Sequence, residues 1–210
     1  MRFAELDAVT LDAYGTLLTL RDPVPALRRA LAERGVERAP ADVDRAFRLE
    51  VEYYAQHALS AADADSLAAL RRACAAVFLE AAGAELDADS FAAAFVEALV
   101  FELAPGALET TEMLASRGLS VAIVADWDVS LRDQLRRLEL DRRVDSVVIS
   151  AEVGARKPDP RLFQIALEEL RVAPERALHV GDDAKDEEGA RAAGMQFAWA
   201  PLVDAFDGWH

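Results

Sequence analysis

Five short apolar runs constrain this chain more than any other feature: residues 8–11, 119–124, 144–149, 177–180 and 195–199. The first four are rich in Val, Ile, Leu or Ala, the last is aromatic, and most give way to polar residues. Runs of that length read as strands buried on both faces of a parallel sheet. Helical patterns separate the last four, over 129–138, 160–170 and 185–193. Strand–helix alternation of this kind predicts an α/β fold with a doubly wound parallel sheet. Such sheets bind ligands beyond the carboxyl ends of their strands, so residues just after each run become the candidates for chemistry.

Between residues 20 and 103 the pattern changes, with no convincing strand. Helical periodicity over 24–34, 41–56, 63–82 and 89–101 predicts an all-helical insert. Pro40 with Asp42, and Asp87 with Asp89, read as helix starts, and Gly35 and Gly83 as stops. The expected division is a core of 1–19 with 104–210 and a helical insert of 20–103, moving on two short connections to enclose a substrate. The 210 residues suit one α/β domain with such an insert. The net charge of −15 repels phosphate backbones and anionic lipid, so nucleic acid and membranes are not expected partners. An anionic substrate would need a metal ion or a local cation. The N-terminus lacks a secretory pattern, no apolar run reaches ~18 residues, and a cytoplasmic location is expected. The one cysteine, Cys74, lies in a helical RRACAAVFLE stretch and is expected to be a buried structural thiol.

Four clusters follow strand ends. The first is Asp12-Ala13-Tyr14-Gly15-Thr16-Leu17. A carboxylate before a glycine suits a nucleophile on a tight turn whose amides approach an anion, although an ordinary strand-to-loop turn gives the same string. The second is Ala125-Asp126-Trp127-Asp128. Trp127 there either lines a pocket or packs. Ser130, close by, is expected to cap the next helix. The third is Lys157-Pro158-Asp159-Pro160, with Pro160 expected at the first helical position. Lys157 there either neutralises charge over the strand ends or is a solvated surface lysine. The fourth is Gly181-Asp182-Asp183-Ala184-Lys185-Asp186. Its acids suit oxygen ligation of Mg²⁺, or, for Asp183 and Asp186, capping of a helix. His57 in the insert and His179 inside a strand read as structural, and the terminal His210 as mobile.

In order and spacing these clusters resemble the motifs of the haloacid dehalogenase superfamily, and the resemblance covers nearly the whole chain. The first motif is LDAYGTL around Asp12, the lysine motif is Lys157-Pro158, and the acidic motif is GDDAKDEEGA from Gly181. The resemblance implies a Rossmann-like core with a small helical cap. It also implies a hydrolase in which Asp12 forms a covalent aspartyl intermediate while Lys157 stabilises the transferring group. Gly15, Thr16, Ala125, Asp126 and Trp127 fall at substrate-binding positions. In the family's phosphatases Mg²⁺ would be held by Asp12, the backbone carbonyl of Tyr14 and Asp182, with Asp183 or Asp186 as a further acid.

Two positions depart from the phosphatase pattern. Tyr14 stands where those enzymes carry an acid/base aspartate, and DAYGTL with its tyrosine is similar to the first motif of the 2-haloacid dehalogenases. Ala125-Asp126 stands where both branches end a strand in Ser or Thr, so an anion-binding hydroxyl is missing. The leading expectation is a Mg²⁺-dependent phosphatase acting on a small phosphorylated metabolite, as monomer or homodimer. The alternatives are a catalytically weakened binding protein and a 2-haloacid dehalogenase.

Overall fold

The computed structural model describes residues 5–206, so His210 lies outside the described residues. The chain divides into two compact units, Met1–Thr19 with Glu102–His210, and Leu20–Phe101.

In the first unit a five-stranded sheet is built from β1 (Ala8–Leu11), β4 (Ser120–Ala125), β5 (Ser146–Ile149), β6 (Ala177–Gly181) and β7 (Gln196–Trp199). Their order is β5-β4-β1-β6-β7, and every pairing is parallel. β1 therefore lies at the centre, and the direction of winding reverses on either side of it. All four residues of β1 and all five of β6 are buried, as strands covered on both faces require.

The flanking helices are α5 (Ala107–Ser116), α6 (Leu131–Arg137), α7 (Ser150–Val153), α8 (Arg161–Leu170), α9 (Ala184–Ala192) and α10 (Leu202–Ala205). α8 shows how the sequence enforces the layers. Leu162, Phe163, Ala166 and Leu167 form one buried stripe, packed with Val124, Val148, Ala190 and Phe197. Burying a Leu or Phe side chain contributes about 1.5–3 kcal/mol each, so this stripe outweighs the modest intrinsic preference of a ten-residue helix.

The second unit holds α1 (Val24–Ala32), α2 (Pro40–His57), α3 (Ala64–Ala81) and α4 (Ala88–Ala98). Phe78, Phe91 and Phe95 meet in its core with ring centroids 5.2–6.5 Å apart. Asp63 and Asp87 cap α3 and α4 by accepting from the amides of Ser66 and Ser90, each at 2.8 Å. Asp42 and Asp89 lie in first turns and Pro40 opens α2, with no side-chain cap before it. Glu50 of α2 is 3% exposed and accepts a hydrogen bond from the thiol of Cys74, itself buried on α3. Burial pushes the Glu50 carboxyl up to about 7, with the thiol opposing.

The structure corrects the sequence reading in four places. Short strands β2 (Leu18–Leu20) and β3 (Phe101–Leu103) pair into a small sheet at the margins of the insert, where none was expected. Three residues each carry too little periodicity to register. Helix α5 was not anticipated either. Pro160 takes the N-cap position of α8, one residue before the expected one. Ser130 is at the N-cap of α6 but makes no side-chain cap; Asp128 Oδ1 accepts from the Ser130 amide at 2.7 Å instead. Among the described residues no helix is long and apolar enough to cross a membrane.

Candidate active site

The carboxyl ends of the central strand β1 and its neighbour β6 bring the acids together. The Asp12 amide donates to Val180 O at 2.9 Å, extending the ladder one residue past β1. The chain then reverses, with Leu17 and Leu18 amides both donating to Ala13 O and the Gly15 amide to Leu18 O. Gly15 sits at φ +89°, and a Cβ there would lie 1.9 Å from Asp182 Oδ2. Only glycine permits both that backbone and that approach. The bare Cα is thus what lets the Asp182 carboxylate, at the end of β6, close on the Asp12 turn. Gly181 does the same for Asp186, whose Cγ would be 2.4 Å from an added Cβ.

Carboxylate oxygens of Asp12, Asp182 and Asp186 lie within 4.8 Å of one another. Lys157 is 3% exposed, and its Nζ lies 2.5 Å from Asp12 Oδ1 and 2.6 Å from Asp186 Oδ1. It is therefore a buried, doubly bonded cation and not a solvated surface lysine. Behind Asp186, His179 Nε2 lies 3.2 Å from the same Oδ1, and Thr10 Oγ1 lies 2.7 Å from His179 Nδ1. Asp186 Oδ2 accepts from the Asp183 amide at 3.1 Å.

Burial pushes Asp12 up to about 7; the Lys157 ammonium opposes this and the Asp186 charge adds to it. Burial also raises Asp182, reinforced by Asp186. For Asp186 burial works upward, but the His179 hydrogen bond and the Lys157 charge outweigh it and hold the acid below its ordinary range. Burial disfavours the Lys157 ammonium, yet Asp12 and Asp186 hold its affinity for the proton above the ordinary value. Burial lowers His179 to about 4, so its ring is neutral at pH 7.

Three carboxylates with one ammonium leave an excess of negative charge at a centre lined by oxygen. That donor set could hold a hard divalent cation, with Asp12 and Asp182 as the candidate ligands. Asp186 already accepts from His179, Lys157 and the Asp183 amide, so it serves first as the anchor of Lys157. Asp183 is not in the cluster: its side chain caps α9, accepting from the Lys185 amide at 3.0 Å.

The remaining candidates divide. Tyr14 is 53% exposed, with its ring edge-on to Trp127 at 6.4 Å between centroids. Trp127 is buried, and its loop is pinned by Ser150, whose Oγ accepts from the Trp127 amide at 3.0 Å and donates to the Trp127 carbonyl at 3.1 Å. Ala125 is buried at the end of β4. Asp126 Oδ1 accepts from the Lys157 amide at 3.0 Å, which ties the lysine loop to the second strand end. Burial raises the Asp126 carboxyl, with that amide opposing. Thr16 Oγ1 is buried without a partner among the described residues, a hydroxyl available to a ligand. His57 bonds back to Tyr53 O at 2.7 Å within α2. Thr10, His179 and Ser150 were not among the expected site residues. The signal for the first two was a polar residue inside each of two otherwise apolar strands.

The fold and these motifs agree with known proteins. A 201-residue stretch is 29% identical to haloacid dehalogenase-like hydrolase domain-containing protein 3 of Homo sapiens, covering 91% of this chain and 80% of that one. Over 123 residues the chain is 42% identical to phosphoserine phosphatase of Thermus thermophilus, covering 57% of this chain and 49% of the relative. This chain thus spans about half the length of some curated relatives it matches. A solved dehalogenase superposes with a TM-score of 0.68 at 28% identity, over 95% of this chain and 89% of that one. The family described as haloacid dehalogenase-like hydrolase matches residues 6–194, so this chain belongs to the haloacid dehalogenase-like hydrolases.

Proposed function

We propose that the chain is a Mg²⁺-dependent phosphatase that cleaves a small phosphorylated metabolite through a covalent intermediate on Asp12. The observation that carries this reading is the Lys157 ammonium held on Asp12 beside the Asp182 carboxylate. Burial raises the Asp12 carboxyl to about 7 even with Lys157 opposing it, and the ammonium favours the ionised form that a nucleophile requires. Asp12, Asp182 and the Tyr14 carbonyl would hold the ion. Bound there, Mg²⁺ would neutralise the phosphoryl group and polarise it toward attack. Asp12 attacks phosphorus, the ester oxygen departs with its electron pair and takes a proton from solvent, and water then hydrolyses the aspartyl phosphate to free phosphate and the Asp12 carboxylate. Lys157 balances charge on the transferring group, and the unpartnered Thr16 Oγ1 is a hydroxyl able to donate to it. The phosphoserine phosphatase relative supports a phosphate ester as substrate.

Tyr14 favours a second reading. No carboxylic acid stands two residues after Asp12 to protonate a leaving alkoxide, and halide needs none, so a 2-haloacid is the competing substrate. The dehalogenase structure is in keeping with that branch. The deciding experiment measures phosphate release from a panel of phosphate esters with Mg²⁺ or EDTA, beside halide release from 2-chloropropionate, for the parent and Asp12→Asn. Phosphate release that needs both Mg²⁺ and Asp12 supports the first reading. Halide release indifferent to EDTA replaces it with the second. Neither, with a bound ligand retained, points to a binding protein whose missing hydroxyl at Ala125 has cost it turnover.

A further inference from the structure

His179 and Thr10 are fully buried and stand opposite one another in register on β6 and β1. From them an unbroken series of polar contacts runs to the nucleophile. Thr10 Oγ1 to His179 Nδ1 is 2.7 Å, His179 Nε2 to Asp186 Oδ1 is 3.2 Å, Asp186 Oδ1 to Lys157 Nζ is 2.6 Å, and Lys157 Nζ to Asp12 Oδ1 is 2.5 Å. We infer that His179 is a positioning residue for the reaction: its Nε2–H fixes the Asp186 carboxylate in the orientation that holds the Lys157 ammonium on Asp12.

The tautomer follows from the partners. Asp186 Oδ1 carries the ammonium and so acts as an acceptor, which requires the ring nitrogen facing it to bear the hydrogen. Nδ1 is then free to accept from the Thr10 hydroxyl, and the strand register fixes that pairing. The imidazole has one donor and one acceptor, and this series uses both. Besides these groups and the Thr10 backbone, which also bonds the ring, its neighbours are aromatic, with Phe163 edge-on at 4.9 Å and Phe197 at 6.2 Å between centroids. An imidazole there costs desolvation that a leucine would avoid, so core packing alone does not account for it. Asp186 has two other restraints, the Asp183 amide on Oδ2 and Lys157 itself. The amide lies at the start of α9 and the ammonium on a long flexible stem. His179 is the restraint contributed by the sheet, and it reaches the oxygen that Lys157 uses.

The inference rests on Asp12 and Lys157 having the roles proposed above, so its test has one arm with turnover and one without. The variants are His179→Leu, which keeps bulk and removes the donor; His179→Gln, whose amide reaches the same point with an N–H; and Thr10→Val. With p-nitrophenyl phosphate and Mg²⁺, H179L should lose about ten- to a hundredfold in kcat, the worth of one hydrogen bond to a charged group, with KM nearly unchanged. H179Q should recover most of that loss, which a purely steric role for the ring does not predict. In the second arm, nitrogen-15 spectra of the substrate-free protein should show an Nε2–H tautomer for His179 and an exchange-protected Lys157 ammonium. The ammonium signal should weaken in H179L and T10V and persist in H179Q. A parent without phosphatase activity refutes the proposed function and leaves the spectra to decide the positioning. If H179L fails to fold, T10V carries the loss-of-function arm. An Nδ1–H tautomer, a protected Lys157 signal in both H179L and T10V, or an H179Q as impaired as H179L would overturn the inference.

Discussion

Glu50 offers a test of the helical unit that depends on no activity. Its carboxyl, 3% exposed on α2 and bonded only weakly by the Cys74 thiol, is raised from 4.5 to about 7 by burial. Below the lower value both the folded and unfolded chains hold the proton, and stability owes nothing to it. Between the two values the unfolded chain is ionised while the folded one keeps its proton, so folding takes up a proton and stability falls as pH rises. Above about 7 the deficit is complete and constant. At ~1.4 kcal/mol per pH unit the span from 4.5 to about 7 amounts to ~3 kcal/mol, of which ~1 kcal/mol is already present at pH 5.5. Glu50→Gln never ionises and keeps an acceptor for the thiol. Its extra N–H adds a cost of ~1–3 kcal/mol if unpaired, the same at every pH. The difference between variant and parent should therefore move in favour of the variant by ~2 kcal/mol from pH 5.5 to pH 8, whatever its starting sign. Urea unfolding followed by far-ultraviolet circular dichroism, with hydrogen exchange at α2 and α3 amides to localise the change, reads this directly. A difference that stays flat with pH, or grows toward acid, would refute the account of Glu50 as a buried acid held near its proton.

Three further outcomes follow from the site. Lys157→Met leaves buried Asp12 and Asp186 without their cation, so thermal unfolding in EDTA should show a loss of ~3–5 kcal/mol at pH 8. The loss should shrink at pH 5, where Asp12 can take a proton; a loss below ~1 kcal/mol at pH 8 would contradict the burial argument. Gly15→Ala pushes a methyl into Asp182 at a left-handed backbone position, and calorimetry should find Mg²⁺ affinity lowered about tenfold or more, with parent-like affinity counting against the cradle. Asp183→Ala should cost ~0.5–2 kcal/mol of stability as a lost helix cap while leaving Mg²⁺ binding intact, whereas Asp182→Ala should do the reverse.

The sheet was legible because central parallel strands are continuous apolar runs, and a run such as Ala8–Leu11 has few other uses. The helical insert was legible from periodicity, with ends shifted by a few residues where caps compete. What stayed hidden has a common cause. β2 and β3 are three residues each, and their pairing joins segments about eighty residues apart, which local pattern does not encode. Within the site, Asp12 and Asp182 directly follow strand ends, and Lys157 follows β5 across the short helix α7, so all three could be singled out from the string. The division of labour between Asp183 and Asp186 could not, because it depends on which side chain α9 turns inward. Asp126 falls at an expected substrate-binding position, yet its carboxylate accepts from the Lys157 amide 31 positions along the chain. Ser150 likewise looks like any strand-end serine until the loop of β4 closes on it.

The central place of β1 has a consequence for how the chain comes to be folded at all. Ala8 pairs with Ser120 on one side and Ala177 on the other, so β1 has no partner in the sheet until the chain has been made as far as Ser120. At ~5–20 residues per second, β1 waits roughly 5–20 seconds on the ribosome with its apolar edges unpaired. The four helices of the insert close over local contacts and can form during that wait, while the sheet depends on non-local pairings that are intrinsically slow. The nucleophile is thus made early and its surroundings last. The Lys157 and Asp186 contacts arise only once those residues have been made, so chains stalled before them carry Asp12 without the groups that would make it reactive. Slow translation over 24–98 should be tolerated, whereas anything that delays β6 prolongs the exposure of an aggregation-prone strand.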